Sequence, residues 1–146
     1  MIDTHSIFYI KNQTEFKDLA LQIFKYQFEN NRVYRSFCDL LYKHPSEVNT
    51  LKDIPFIPIQ FFKTRDVLSS DNKIEATFTS SGSTGSETSK HHVTDLNIYQ
   101  QSFTKGFEQV YGAIEDYAIL GLLPSYLERE GSSLIYMVDS MINTSK

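Results

Sequence analysis

The chain has 146 residues, which fits one domain and leaves little room for two. Hydrophobic residues make up 40% of it, with 11 Phe, 9 Tyr and no Trp, so we expect a core rich in aromatic rings. The formal net charge of −4 argues against nucleic-acid binding, no apolar run could span a bilayer, and the lone cysteine excludes an internal disulfide.

The N-terminus carries no signal peptide pattern, so we expect a cytoplasmic protein, and the residues after it predict a helix. Met1 to His5 has neither the basic start nor the apolar stretch of a signal peptide. Between Glu15 and Phe28 the apolar residues recur on one face of a helix. Thr14 can cap its start, and Glu15 lies where the helix dipole favours a negative charge.

A second helix is predicted after Asn30-Asn31 interrupts this pattern, and it completes a helical region over residues 1–45. Its apolar residues run from Val33 to Leu41, and we expect it to end near Lys43-His44, before a proline. Cys38 falls within it, where we expect a small, partly apolar side chain to pack.

Residues 46–72 predict an ordered crossing segment. The run from Ile54 to Lys63 is apolar but contains Pro55 and Pro58, which favour extended backbone in the residues before them. A flexible linker would not hold so many large apolar side chains. We therefore expect a buried segment with at most a short helical turn after Pro58.

Residues 73–146 predict alternating strands and helices. Ile74, Ala76 and Phe78 alternate with polar residues, as in a strand. A loop of small residues follows, and then a helix opens at Thr94-Asp95 and stops at Gly112.

A second strand and a last helix complete the predicted elements. Tyr117 to Leu123 is almost continuously apolar and ends at Pro124, as in a strand buried on both faces. Ser132 or Ser133 can cap the last helix.

The order of elements predicts an α/β fold, in which N-terminal helices precede a parallel βαβ unit with a right-handed crossover. Two strands make a small sheet, and parallel sheets usually have more. We therefore expect residues 1–146 to form a single partial domain of a larger one, with a complete small protein as the alternative.

The loop after the first strand has the composition of a phosphate site. Residues 80–90 hold five Ser, two Thr and two Gly, and they end at Lys90. Glycines let backbone N–H groups converge on an anion, and hydroxyl groups add further donors. The position between a strand and a helix suits phosphate binding, although the order of residues is not that of the Gly-x-x-x-x-Gly-Lys-Ser/Thr loop.

Two other interpretations of this region are a plain surface loop, which stays open, and a metal site, which is disfavoured. A Ser/Thr/Gly stretch is often only a surface loop. His91 and His92 are adjacent and would face opposite sides of a strand, so we predict no metal site there.

Residues 78–85, Phe-Thr-Ser-Ser-Gly-Ser-Thr-Gly, resemble the Ser/Thr-Ser-Gly-Ser/Thr-Thr-Gly signature of the adenylate-forming superfamily. Residues 51–58 and 61–63 are similar to the segment before that loop in the acyl-protein synthetase (LuxE-type) family. Residues 117–137, with Leu122-Leu123-Pro124-Ser125-Tyr126, are similar to the same family. The resemblance spans most of the chain after Pro45 and implies the larger N-terminal domain of an adenylate-forming enzyme.

The resemblance implies a two-step reaction with ATP. A carboxylic acid, expected to be a fatty acid, becomes an acyl-adenylate, and the acyl group then moves to a thiol on an acceptor protein. Mg²⁺ would be carried on the nucleotide phosphates and not in a protein site.

By position, the resemblance also implies which residues form the site. Those matching the phosphate contacts are Ser81, Gly82, Ser83, Thr84 and Gly85, and Lys90 is taken as a sixth phosphate contact. Those matching a turn near the acyl pocket are Pro124, Ser125 and Tyr126. The superfamily loop commonly ends Gly-x-Pro-Lys, whereas here Lys90 comes two residues later and the proline is absent.

The sequence therefore leaves two functions open. The first is the N-terminal portion of an acyl-adenylating ligase, with its adenine- and ribose-binding motifs and late catalytic lysine expected beyond residue 146 and this chain alone expected to be inactive. The second is a non-catalytic module that binds a phosphate ligand or a partner.

Overall fold

The computed structural model describes residues 3–80, 88–122 and 131–146. These hold five α-helices, α1 (Gln13–Asn30), α2 (Arg32–Leu40), α3 (Phe61–Thr64), α4 (Leu96–Tyr111) and α5 (Ser133–Thr144), and two strands, β1 (Ala76–Thr79) and β2 (Lys90–Val93). Short 3₁₀ helices lie at Thr4–Phe8, Leu51–Asp53 and Ile114–Asp116. The chain divides into two compact units, Met1–Lys73 and Ile74–Lys146.

Helix α1 begins at Gln13, two residues before the start that a Thr14 cap would give, because Asn12 is its cap. The Asn12 side chain accepts a hydrogen bond from the Glu15 N–H at 3.0 Å. The Glu15 carboxylate in turn accepts from the Lys11 N–H at 2.9 Å. This reciprocal capping satisfies N–H groups that a helix start leaves without partners, so the expectation that Thr14 caps the helix was wrong.

Helices α1 and α2 pack together around an aromatic core, as their apolar spacing predicts. Asn31 ends α1 and caps α2, and its side chain accepts from the Tyr34 N–H at 2.9 Å. The buried residues are Phe24, Phe28, Tyr34, Cys38 and Val48. Cys38 is fully buried in this core, which confirms the prediction that it packs.

Helix α2 ends at Leu40, earlier than the expected end near Lys43-His44. The Tyr42 N–H donates to the Asp39 carbonyl and the Lys43 N–H to the Cys38 carbonyl. This pair of bonds is a Schellman motif, and it places Tyr42 in the left-handed region at φ 54°. Glycine usually occupies that position, so the sequence carries no obvious signal of the end.

The proline-containing segment is ordered, but only part of it is buried. Ile54 and Ile57 pack against the helical core, and the Tyr34 hydroxyl donates to the Pro55 carbonyl at 2.6 Å. Helix α3 is the short helical turn expected after Pro58. Phe56 and Ile59, however, are 84% and 73% exposed, so the expectation of a wholly buried segment was wrong.

In the second unit, β1 and β2 form an antiparallel hairpin. The sequence instead predicts a parallel βαβ unit here. Strand β2 pairs with β1 in the register Ala76–Val93, Thr77–His92, Phe78–His91 and Thr79–Lys90. The parallel sheet is thus not confirmed, although the mixture of helices and strands is. Lys-His-His-Val is too short and polar for its sequence to predict a strand, whereas the ladder of backbone hydrogen bonds makes it one.

The apolar run expected as a second buried strand forms no strand over residues 118–122. Its backbone meets the end of α5 instead. The Lys146 N–H donates to the Tyr117 carbonyl at 3.0 Å, and a Cβ at Gly121 would lie 2.8 Å from Val138. Leu120 and Leu122 are exposed. The apolar composition of this segment therefore did not predict its backbone contacts.

Helices α4 and α5 cover one face of the hairpin, and both begin and end near the predicted residues. The Phe78 ring packs against the rings of Tyr99 on α4 and Tyr136 on α5, with centroids 5.1 and 5.6 Å away. The Tyr99 hydroxyl donates to the Ser133 carbonyl at 3.0 Å. Gly112 follows α4 with φ 91°, a conformation that favours glycine and stops the helix as predicted.

Candidate functional site

The Gly/Ser/Thr loop is the connection between the two strands of the hairpin. The Ser80 N–H donates to the Ser89 carbonyl at 3.1 Å, and the Ser89 N–H donates to the Ser80 hydroxyl at 3.0 Å. These two bonds hold the ends of the loop together. The predicted phosphate contacts Ser81, Gly82, Ser83, Thr84 and Gly85 lie outside the described residues.

Lys90, the sixth predicted phosphate contact, begins β2 opposite Thr79. Side chains alternate along a strand, so Lys90 shares a face with Thr77, Thr79 and His92, opposite the face that holds Phe78 and Val93. Lys90 is exposed. Its ammonium group is therefore at the base of the loop on the polar side of the hairpin, where it can reach an anion held there.

Thr79 is also the contact point for the segment that follows the predicted acyl-pocket turn. The Thr79 N–H donates to the Gly131 carbonyl at 2.8 Å. Gly131 has φ 84°, and a Cβ built on it would lie 3.2 Å from the Thr79 hydroxyl and 3.4 Å from the Thr77 carbonyl. The turn itself, Pro124, Ser125 and Tyr126, lies outside the described residues.

One residue of β1 thus joins two parts of the predicted site. Thr79 precedes the first residue of the loop, and Gly131 lies five positions after Tyr126. Neither Thr79 nor Gly131 was predicted from the sequence as part of the site. Gly131, one position before the Ser132 helix cap, was the available signal, because glycine adopts a positive φ more readily than any other residue.

The N-terminus of α4 is occupied by carboxylates of the chain itself. The Asp95 side chain accepts from the Asn97 and Ile98 N–H groups at 3.0 and 3.3 Å. The Glu75 side chain accepts from the Leu96 N–H at 2.7 Å. Strand β2 also separates this helix from the loop. A phosphate at the loop would consequently depend on donors of the loop and Lys90, and not on the helix terminus as the sequence order suggested.

The two histidines occupy opposite faces of β2, as their adjacency predicts. The Thr77 hydroxyl and the His92 Nδ1 lie 2.9 Å apart, while His91 pairs with Phe78 on the other face. Over residues 3–80, 88–122 and 131–146, no group of three His, Cys, Asp or Glu could hold a metal ion. In the same ranges, no helix is long and apolar enough to cross a membrane.

Comparison with known proteins decides the family. A family model described as acyl-protein synthetase, LuxE, matches residues 3–127. The chain belongs to this family. The match includes the loop, the hairpin and the proline-containing segment, so the resemblance of residues 51–58 and 61–63 to the acyl-protein synthetase (LuxE-type) family is confirmed.

Two curated relatives of this LuxE-family chain carry the same name, long-chain-fatty-acid–luciferin-component ligase. The protein from Photorhabdus luminescens is 37% identical over 70 residues, which is 47% of this chain and 60% of that protein. The protein from Vibrio harveyi is 40% identical over 63 residues, 42% of this chain and 16% of that protein. Both alignments cover less than two thirds of the relative's length. No solved structure matches significantly.

Proposed function

We propose that this chain is the N-terminal portion of an ATP-dependent acyl-protein synthetase that activates a fatty acid and transfers it to a protein thiol. The support is membership of the acyl-protein synthetase family and similarity to two proteins named as long-chain-fatty-acid ligases. The domain would be part of the larger N-terminal domain of an adenylate-forming enzyme.

The proposed reaction has two steps, adenylation and acyl transfer. A carboxylate oxygen attacks the α-phosphate of ATP, the bond between the α- and β-phosphates breaks, and pyrophosphate leaves with the electron pair. A thiolate then attacks the acyl carbon, and AMP leaves as the thioester forms. The protein would contribute mainly by positioning the reactants and by stabilising the charge that develops on the departing pyrophosphate.

The loop at the hairpin is the feature on which the proposal depends. Its residues supply hydroxyl and backbone donors suited to phosphate, and Lys90 adds a positive charge at its base. Ser81, Gly82, Ser83, Thr84 and Gly85 would hold the β- and γ-phosphates, with Mg²⁺ carried on the nucleotide. Pro124, Ser125 and Tyr126 would lie near the acyl group.

The Thr79–Gly131 contact supports bringing these parts together. It joins the residue before the loop to the segment after the proposed acyl-pocket turn. Reacting groups must lie about 3–3.5 Å apart for efficient transfer. A short hydrogen bond between the two supporting segments is a direct way to keep their distance constant.

ATP–pyrophosphate exchange tests this proposal, with the full-length natural protein and a series of carboxylic acids of increasing chain length. We expect exchange that depends on both the acid and Mg²⁺, and that is strongest with long chains. ATP binding without exchange for any acid would instead favour the alternative, a non-catalytic phosphate-binding module. Absence of both ATP binding and exchange would favour a partner-binding module.

A further inference from the structure

A concave site lies within the helical unit, formed by α1, α2 and the turn after α2. Its volume is about 520 Å³. The residues that line it are Lys25, Phe28, Glu29, Arg35, His44, Pro45 and Ser46. Three of these seven, Lys25, Arg35 and His44, are basic residue types, and one, Glu29, is acidic.

Phe28 holds two of the basic groups in place. Its ring is only 4% exposed and belongs to the helical core. The Arg35 guanidinium lies over this ring, 5.3 Å from its centroid, and the His44 ring packs nearly perpendicular to it with the two ring centroids 5.2 Å apart. A cation held on an aromatic face loses less conformational freedom when it binds a ligand.

The charged donors at this site retain capacity for a ligand. The Lys25 ammonium lies 4.0 Å from the Glu29 carboxylate, and the Arg35 Nε lies 4.0 Å from the Asp39 carboxylate. Both distances exceed that of a hydrogen bond. Exposed pairs of this kind contribute little free energy, so a ligand can replace these contacts at low cost.

His44 adds an imidazole ring. Its Nδ1 accepts from the Ser46 N–H at 3.3 Å and lies 2.9 Å from the Ser46 hydroxyl. With Nδ1 accepting from Ser46, Nε2 is the ring nitrogen that can donate an N–H. The site therefore combines an ammonium, a guanidinium and an imidazole N–H, which together suit an oxyanion.

We propose that this site binds a small organic molecule through a single carboxylate or phosphate group. The guanidinium fork matches two oxygens of either group. Glu29 lines the same cavity and would repel a second anionic group. The volume exceeds that of an inorganic ion, so a short organic body can lie beside Pro45. The site is independent of the proposed loop chemistry.

Nuclear magnetic resonance titration of the ¹⁵N-labelled full chain tests the proposal, with acetate, inorganic phosphate and glycerol phosphate added in separate arms at constant ionic strength. We expect saturable shifts at residues 25–29, 35 and 44–46 in at least one arm. The acetate arm identifies a carboxylate ligand, and the other two identify a phosphate and show whether an organic body adds affinity.

Three variants distinguish binding in this cavity from nonspecific attraction of an anion to positive charge on the surface. Arg35→Gln and Lys25→Gln should each weaken binding about tenfold or more, because each removes charge-assisted hydrogen bonds. Lys17→Gln removes the same charge from α1 outside the cavity and should change affinity less than about twofold. Absence of saturable shifts in every arm, or an equal loss in Lys17→Gln, would overturn the proposal.

Discussion

At the scale of single residues, Gly131 has the most constrained environment near the proposed site. Its positive φ disfavours any side chain, and a Cβ would press on the Thr79 hydroxyl and the Thr77 carbonyl. Gly131→Ala should therefore lower the free energy of unfolding by about 1–2 kcal/mol. In an active enzyme, it should also lower kcat more than it raises KM for ATP, because the two segments would be displaced.

Gly106 provides the matched control for this change. It lies in the interior of α4, and a Cβ there would meet nothing within 4 Å. Gly106→Ala should raise stability by about 0.5–1 kcal/mol, since alanine loses less backbone entropy in a helix. Urea unfolding measures both variants. If Gly131→Ala were as stable as the parent, the close contact with Thr79 would not constrain the backbone.

Thr84 tests the loop itself. Thr84→Ala should lower acid-dependent pyrophosphate exchange about 10²-fold or more, because its hydroxyl would donate to phosphate oxygens whose charge grows as pyrophosphate leaves. Apparent ATP binding should change much less, and stability by only about 0.5 kcal/mol. Gly85→Val is the companion variant and should weaken ATP binding as well. Turnover within twofold of the parent in folded Thr84→Ala would assign the loop no role in chemistry.

At the scale of elements, the end of α2 offers a test of backbone strain. Tyr42 adopts φ 54° at the position where a Schellman motif favours glycine, and its side chain is 89% exposed. Tyr42→Gly should thus stabilise the helical unit by about 1 kcal/mol while losing little packing. Tyr42→Ala keeps the strained conformation and should show no such gain. Chemical denaturation followed by circular dichroism distinguishes the two outcomes.

Helix boundaries were more predictable than strands because helices depend on local pattern. The first two helices follow apolar spacing, although the start of α1 and the end of α2 were placed wrongly, and α4 with Asp95 and Gly112 and α5 with Ser132 also follow capping residues visible in the chain. Strand β2 could not be found in this way. Its pairing depends on backbone contacts with β1 across a loop of ten residues, 80–89, and such contacts leave no periodic signature in a short polar run.

At the scale of the whole molecule, the buried core of the helical unit predicts loss of stability at alkaline pH. Burial raises the pKa of Tyr34 far above its ordinary range, and the neighbouring Cys38 raises it further. Burial also raises the pKa of Cys38. Both groups stay protonated in the folded state at a pH where they ionise in the unfolded chain, so unfolding releases protons and stability falls as pH rises.

Stability should be level up to about pH 8 and decline above about pH 8.5, where an unfolded cysteine begins to ionise. Cys38→Ala and Tyr34→Phe should each flatten this decline. Tyr34→Phe should also lose about 1 kcal/mol at neutral pH, because the Pro55 carbonyl loses its donor. Tyr42→Phe, at an exposed tyrosine, is the control. Urea midpoints between pH 7 and 10 measure the effect, and a flat parental profile would contradict it.

The sequence by itself determined the helices, the burial of Cys38 and the family, because apolar period, capping residues and the Ser-Ser-Gly-Ser-Thr-Gly run are all local features. Only the tertiary structure decided that the loop connects an antiparallel hairpin, and that residues 118–122 lie against α5 without pairing as a strand. Tertiary structure also decided that Thr79 contacts Gly131 and that Arg35 and His44 meet on Phe28. These contacts lie outside the local pattern that predicts a helix or a strand, and the free energy that selects them comes from packing and hydrogen bonds formed only on folding.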